Sequence, residues 1–175
     1  YGREANDTLI EMNETSEVIV DLGIPFRYSV DGEYFKKAEI ISRNGTVSFN
    51  SWNGKLLSFN VYNQEYDLSR GGNVWYRITN NISDIVEQLY EANVLNTWPQ
   101  FGQALVVTWK KIKEIETSKE NTFQLVLFTN YSAFWAIYNF GTCKSISLDS
   151  SYPLDSSGTK YAYLGDQKSF YFDGY

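Results

Sequence analysis

The chain predicts a mainly β protein, an antiparallel β-sandwich-like domain with one amphipathic helix at about residues 82–92. Three observations carry that reading. Aromatic residues make up 17% of 175 residues, with 14 Tyr and 11 Phe; such side chains favour strands and bring a large buried area each. From Ala104 to Gly141 the sequence reads ALVVTWKKI, NTFQLVLFTN and YSAFWAIYNFG. These are three apolar runs joined by short polar links, the pattern of a β-meander. Between Ile82 and Ala92 the pattern changes: Ile82, Ile85, Val86, Leu89 and Tyr90 form one stripe at helical spacing.

Each element has a local reason. Residues 1–16 are polar and carry two Asn-x-Thr triplets. EVIVDLGIPFRY, residues 17–28, holds an apolar strand that ends in a Gly-Ile-Pro turn, since Pro25 has no N–H for a ladder. AEIISRNGTVSFN, residues 38–50, is a hairpin; Asn44-Gly45 is the pair that best fits a type I′ turn. After it, Val47 and Phe49 alternate with Thr46 and Ser48 as in a half-buried strand. Leu56, Leu57, Phe59, Val61 and Tyr62 suggest one further strand. Gly71-Gly72 turns the chain into NVWYRIT, another strand. Asn81 is placed to cap the helix, with Asp84 three residues on. Cys143–Thr159 reads as a long loop with one short strand near Ile146, and TKYAYLGDQKSFYFDGY as a closing hairpin about Gly165-Asp166. No fixed-period repeat or long linker divides the chain, so one domain over residues 1–175 is the simplest organisation.

Composition narrows the function. The net charge is −6 with a pI near 4.7. An acidic surface repels phosphate backbones and anionic lipid, so nucleic acid is not an expected partner. No apolar run approaches a membrane span, and no direct membrane insertion by this domain is expected. Five glycosylation triplets are present, at Asn6, Asn13, Asn44, Asn81 and Asn130. Chance placement in this composition gives about two. The excess points to an extracellular glycoprotein with N-glycans attached. A glycan on Asn81 competes with its capping role. Cys143 is the only cysteine. It is either a buried inert thiol or a half-disulfide to a flanking module or another chain.

The chain has no histidine. That removes the commonest general base, the Ser-His and Cys-His dyads and imidazole metal ligands. No GxSxG, P-loop or GxGxxG motif is present. Glu114 and Glu116 read as a solvated, charge-mixed hairpin end rather than the paired carboxylates of a hydrolase. Asp149, Asp155, Asp166 and Asp173 do not make an Asp-x-Asp-x-Asp-Gly loop. The expectation is no enzyme activity, no cofactor and no metal. Trp52, Trp75, Trp98 and Trp135, with Tyr62, Tyr66, Tyr131, Tyr152 and Tyr175, read mostly as core. Tyr131 and Tyr152 are the better candidates for a surface platform.

Several blocks carry a family likeness. Tyr1-Gly2 precedes Asn6-Asp7, and IPFRYSVDGEYFKKAEIISRNGTVSF follows. VYNQEYDLSRGGNVWYRIT, the three meander blocks and YAYLGDQKSFYF complete the order. In that order the chain resembles nidogen-like (NIDO) domains, extracellular modules of nidogens, of alpha-tectorin and of some transmembrane mucins. It departs at Tyr62-Asn63-Gln64-Glu65, where Phe-Trp-Ala-Asp is more usual, and at Asn130-Tyr131, where Gly or Asp-Gly often stands. No Trp follows the Asn-Tyr strand. The shared positions Trp109, Phe123, Val126, Phe128, Phe134, Ile137 and Phe140 read as filling between layers, so the likeness carries fold more than binding. It implies a non-catalytic extracellular matrix or cell-adhesion module of a larger secreted or membrane-anchored glycoprotein, with matrix or cell-surface proteins as partners. A carbohydrate-binding β-sandwich is the alternative. Exposed strand edges leave self-association open.

Overall fold

The computed structural model describes residues 5–11, 17–28, 33–50, 56–61, 65–91, 102–130, 134–143, 161–164 and 169–174. Eleven strands and one helix are built from them. They are β1 (Thr8–Leu9), β2 (Glu17–Tyr28), β3 (Glu33–Ile41), β4 (Thr46–Asn50), β5 (Leu56–Asn60), β6 (Asn73–Thr79), α1 (Ser83–Glu91), β7 (Gln103–Lys113), β8 (Glu120–Thr129), β9 (Phe134–Cys143), β10 (Tyr161–Leu164) and β11 (Ser169–Gly174). A seven-stranded sheet runs β1-β6-β7-β8-β9-β11-β10, and a four-stranded sheet runs β2-β3-β4-β5. All pairings are antiparallel.

The expected meander is β7-β8-β9, the centre of the large sheet. β7 is buried continuously from Gln103 to Trp109 because the sheet is covered on both faces. Alternation then sorts its side chains. Leu105, Val107 and Trp109 point into the core between the sheets, with Phe123, Leu125, Leu127 and Tyr138. Ala104 and Val106 point the other way, with Val126, Phe128, Trp135 and Ile137, where Ile82, Ile85 and Val86 of the helical segment cover them. The residues read as one filling layer therefore divide: Trp109 and Phe123 lie between the sheets, and Val126, Phe128 and Ile137 lie under α1. The side chains of Phe134 and Phe140 fall outside the described residues.

The four-stranded sheet supplies Val20, Leu22, Phe26, Phe35, Ala38, Ile40, Val47, Phe49 and Phe59 to the inter-sheet core. Phe49 sits at its centre, edge-on to Phe26 at 5.8 Å and to Phe59 at 6.0 Å. Thr46 and Ser48, expected on a half-buried strand, are buried as well. β4 is an interior strand, and its hydroxyls are held by β5: Thr46 Oγ1 donates to Asn60 Oδ1 at 2.7 Å, and Ser48 and Ser58 share a hydrogen bond of 3.2 Å.

Other expectations are refined. The hairpin at residues 38–50 exists, but its link is a 3-10 turn, Ser42–Asn44, closed by Gly45 at φ 65°. A type I′ turn needs two residues at positive φ; here Gly45 alone adopts it, because four residues join the strands. A Cβ on Gly45 would lie 3.1 Å from the Phe123 ring. β2 does not stop at the Gly-Ile-Pro segment: that segment is absorbed as a register shift between Asp21 and Phe26, and the strand continues. β1, two residues long, lies in the polar stretch of residues 1–16 and pairs with β6. The helix starts one residue later than Asn81 can cap, since its first bond runs from Val86 N–H to the Ile82 carbonyl. Thr79 instead organises this entry, its hydroxyl accepting from Asn81 N–H at 3.0 Å.

Two residues, Trp109 and Tyr66, lock the two sheets to each other. The buried Trp109 indole donates to the Ser42 carbonyl at 3.0 Å and stacks on Phe123 at 5.1 Å. Tyr66 packs on Phe123 at 5.7 Å, and its backbone N–H donates to the Arg43 carbonyl at 2.9 Å. Tyr66 also bridges to Glu114 at the end of β7. Glu114 corrects a sequence expectation. It is 4% exposed, not solvated, and accepts from the Asn121 amide at 3.0 Å and from the Thr117 hydroxyl, so it is the polar centre of the β7–β8 turn. Glu116 is exposed as expected.

A second polar cluster braces the same end. Asp67 accepts from Ser69 N–H at 3.1 Å and from the Ser69 hydroxyl at 2.6 Å, and pairs with Arg70 Nε at 2.7 Å. Arg70 reaches across to the Ser118 hydroxyl at 2.8 Å. Hydrogen bonding from Ser69, helped by Arg70, holds the Asp67 carboxyl below its ordinary range. Next to it Gly72, at φ 90°, passes under the bulge in β7: a Cβ there would lie 2.6 Å from the Lys111 carbonyl oxygen.

Replacing Trp109 with Phe removes the indole donor, orphans the Ser42 carbonyl and leaves a cavity; the expected loss is about 3 kcal/mol in urea unfolding. Gly72→Ala combines a positive φ with a backbone clash, and a drop of about 2 kcal/mol is expected in the same assay. Asp67 has a lowered folded pKa, so its contribution is present above the unfolded value of 3.8 and is lost as pH falls through the folded value. Asp67→Asn should thus lower the urea midpoint at pH 7 and leave it nearly unchanged well below pH 3.8. An equal effect at both pH values would contradict this.

Candidate functional site

The chain offers glycan acceptors and exposed faces, and the strand registers decide where they lie. Asn81 is exposed, two residues past the end of β6, and Thr79 there sits opposite Ala104. Asn130 is half-buried and follows Thr129, the last residue of β8, which sits opposite Gln103. Asn6 is exposed at φ 57°, a left-handed conformation that Asn tolerates better than most residues. Its neighbour Asp7 is buried and pairs with Arg77 Nη1 at 2.5 Å. That pair fixes Asn6 beside the end of β6. Three of the five acceptors therefore gather at one end of the seven-stranded sheet.

Asn44 is exposed at the opposite end. It belongs to the turn that receives the Trp109 indole. Trp109 is six residues along β7 from Gln103, or about 20 Å at the rise of an extended strand. The hydroxyl that completes this triplet, on Thr46, is buried against Asn60. Asn13 lies outside the described residues. Cys143 ends β9 with its backbone opposite Asn121, at the Asn44 end of the sheet; its side chain is outside the description.

The aromatic candidates separate. Trp135 is 3% exposed and stacks on Phe128 at 5.1 Å, and Tyr66 is buried, so both are core. Trp75 is half-buried on the α1 side of the large sheet. Trp52, Trp98, Tyr62, Tyr131, Tyr152 and Tyr175 lie outside the described residues, as do Asp149, Asp155 and Asp166. Asp173 is in β11, its side chain undescribed. Among the described residues no three Cys, Asp or Glu converge as metal ligands do. Glu114 and Glu116 follow each other around one hairpin, with the first committed to Asn121 and Thr117. They do not face each other across a cleft.

Sequence reading missed two features. The Asp67–Ser69–Arg70 brace was signalled by Asp-x-Ser-Arg after Tyr66, a turn-forming pattern. A hydrogen-bonded row of Thr108, Gln124 and Asn139 crosses three strands of the large sheet. No local signal reveals it, because it depends on the registers of β7 with β8 and of β8 with β9.

Among the described residues no helix is long and apolar enough to cross a membrane. No curated protein and no solved structure matches the chain. The family model described as nidogen-like domain matches residues 37–165, from within β3 to just past β10. The likeness at Tyr1-Gly2 and in the Ile-Pro-Phe strand precedes that match. The matched span takes in most of β3, all of β4 to β10, the helix and the whole meander, well over half of the sequence, and the chain belongs to the nidogen-like domain family, an extracellular type of module.

Proposed function

We propose that this domain is a non-catalytic adhesion or matrix module of a larger secreted or membrane-anchored glycoprotein. It presents a rigid β scaffold to matrix or cell-surface proteins and does not itself enter a membrane. The observation that carries the reading is the placement of the acceptors. Asn6, Asn81 and Asn130 are at one end of the large sheet and Asn44 is at the other, so N-glycans there would stand clear of both sheet faces. A protein partner can then dock on a face while glycans guard the strand ends. Family membership supports an extracellular setting. The histidine-free composition supports binding over catalysis.

The test is secretion of the domain from a eukaryotic cell, followed by glycopeptide mass spectrometry, thiol labelling and binding to purified matrix glycoproteins and cell-surface ectodomains. Glycans on Asn44 and on at least one of Asn6, Asn81 and Asn130 are expected, with saturable binding to a protein of the panel that survives glycosidase treatment. A secreted domain with bare asparagines that binds none of the panel would overturn the proposal.

A further inference from the structure

α1 covers only part of the outer face of the seven-stranded sheet. Its apolar side chains lie over Ala104, Val106, Val126, Phe128, Trp135 and Ile137. One step further along the strands, the row in register is Trp75, Thr108, Gln124 and Asn139. Thr108 lies two residues from Val106 and so shares its face. Here the surface changes from hydrocarbon to amides and a hydroxyl. Asn139 Nδ2 donates to Gln124 Oε1 at 3.2 Å, and Gln124 Nε2 donates to Thr108 Oγ1 at 2.8 Å. Thr108 is 2% exposed and anchors the chain of bonds; Gln124, Asn139 and Trp75 are half-exposed. The next row outward starts with Asn73 opposite Lys110.

We propose that this row is a binding site for a neutral saccharide. Four features select that chemistry. Trp75, Thr108, Gln124 and Asn139 carry no charge, so the row itself offers nothing to neutralise a phosphate, a sulfate or an acidic peptide. Amides and hydroxyls both donate and accept, as sugar hydroxyls do, and the row's own bonds use one N–H and one lone pair of Gln124 out of two of each. Those bonds also fix the side chains before a ligand arrives, which lowers the ordering cost of binding. Trp75 supplies a flat apolar surface for the C–H face of a pyranose, and its indole N–H has no acceptor among the described residues. An extended peptide is a poorer occupant. The row is on interior strands, whose backbone groups are already paired, whereas added strands need an edge. α1 stands beside the row as a wall, and strand spacing sets Thr108, Gln124 and Asn139 at steps of about 4.8 Å.

This site is separate from the protein-binding reading above, and either can fail alone. The probe is the secreted domain, trimmed with glycosidase and displayed as a multimer on an array of neutral oligosaccharides of hexoses and N-acetylhexosamines, with sulfated chains alongside. Binding to a neutral oligosaccharide is expected. Titration of the free domain with that oligosaccharide should shift the Trp75 indole N–H resonance, assigned through Trp75→Phe. Gln124→Met keeps the volume and removes the hydrogen bonds; it should weaken binding at least tenfold, with only a modest drop in the urea midpoint from the bond lost to buried Thr108. No neutral ligand on the array, retention of sulfated chains only, or an unmoved Trp75 resonance would each overturn the proposal. Should Gln124→Met fail to fold, the resonance decides on the native protein.

Discussion

The Trp109 indole bond to the Ser42 carbonyl is the constraint on which the arrangement of the two sheets rests. Hydrophobic burial alone would let two sheets slide, because apolar contact has no direction. A buried N–H that must find an acceptor does have one. Trp109 belongs to β7 of the large sheet and Ser42 to the β3–β4 turn of the small one, so this bond sets one sheet against the other. The surroundings are built to keep it. Phe123 stacks on the indole, Gly45 leaves room for Phe123, and Tyr66 closes the far side while bonding the Arg43 carbonyl. From Tyr66 the support passes to Glu114 and the β7–β8 turn. One end of the molecule is thus held by directional contacts, and the rest of the interface is filled by interchangeable aliphatic and phenyl groups.

The large sheet explains why the meander was so legible. Strands buried on both faces carry unbroken apolar runs, so ALVV in β7, LVLF in β8 and FWAIY in β9 stand out in the sequence without alternation. The helix was legible for the complementary reason, an apolar stripe in a polar segment. β1 was not, because two residues carry no period, and its place follows from pairing with β6 and from the Asp7–Arg77 ion pair. The outer row of β4 misled because Thr46 and Ser48 are polar yet interior, satisfied by Asn60 and Ser58 across the ladder. Glu114 misled in the same way. A carboxylate among lysines reads as solvated, and only the folded turn brings Asn121 and Thr117 to it.

The candidate sites divide along the same line. A glycan acceptor is a three-residue pattern, so each was legible by itself. That Asn6, Asn81 and Asn130 share one end of the sheet was not, since it follows from which residue of β6 faces which residue of β7. The Trp75–Thr108–Gln124–Asn139 row is still further from local reading. Each member comes from a different strand, and each alone looks like an ordinary β residue.

Strand edges complete the physical picture. Unpaired edges invite association, and here the sheets end on β1 and β10, and on β2 and β5. β1 is two residues long, too short to template much pairing. β2 is twelve residues long, but its ladder is broken between Asp21 and Phe26, with Pro25 in the break, and it carries Glu17 and Asp21. Two copies meeting antiparallel about Ile19 would set Glu17 of each against Asp21 of the other, which like charge opposes. Ile19 is 66% exposed on this strand, and its flanking carboxylates keep that apolar group from becoming a self-pairing seam. With two of its edges shortened or charged, the fold leaves its broad faces as the surfaces best suited to a partner, and those are the surfaces that the described glycan acceptors avoid.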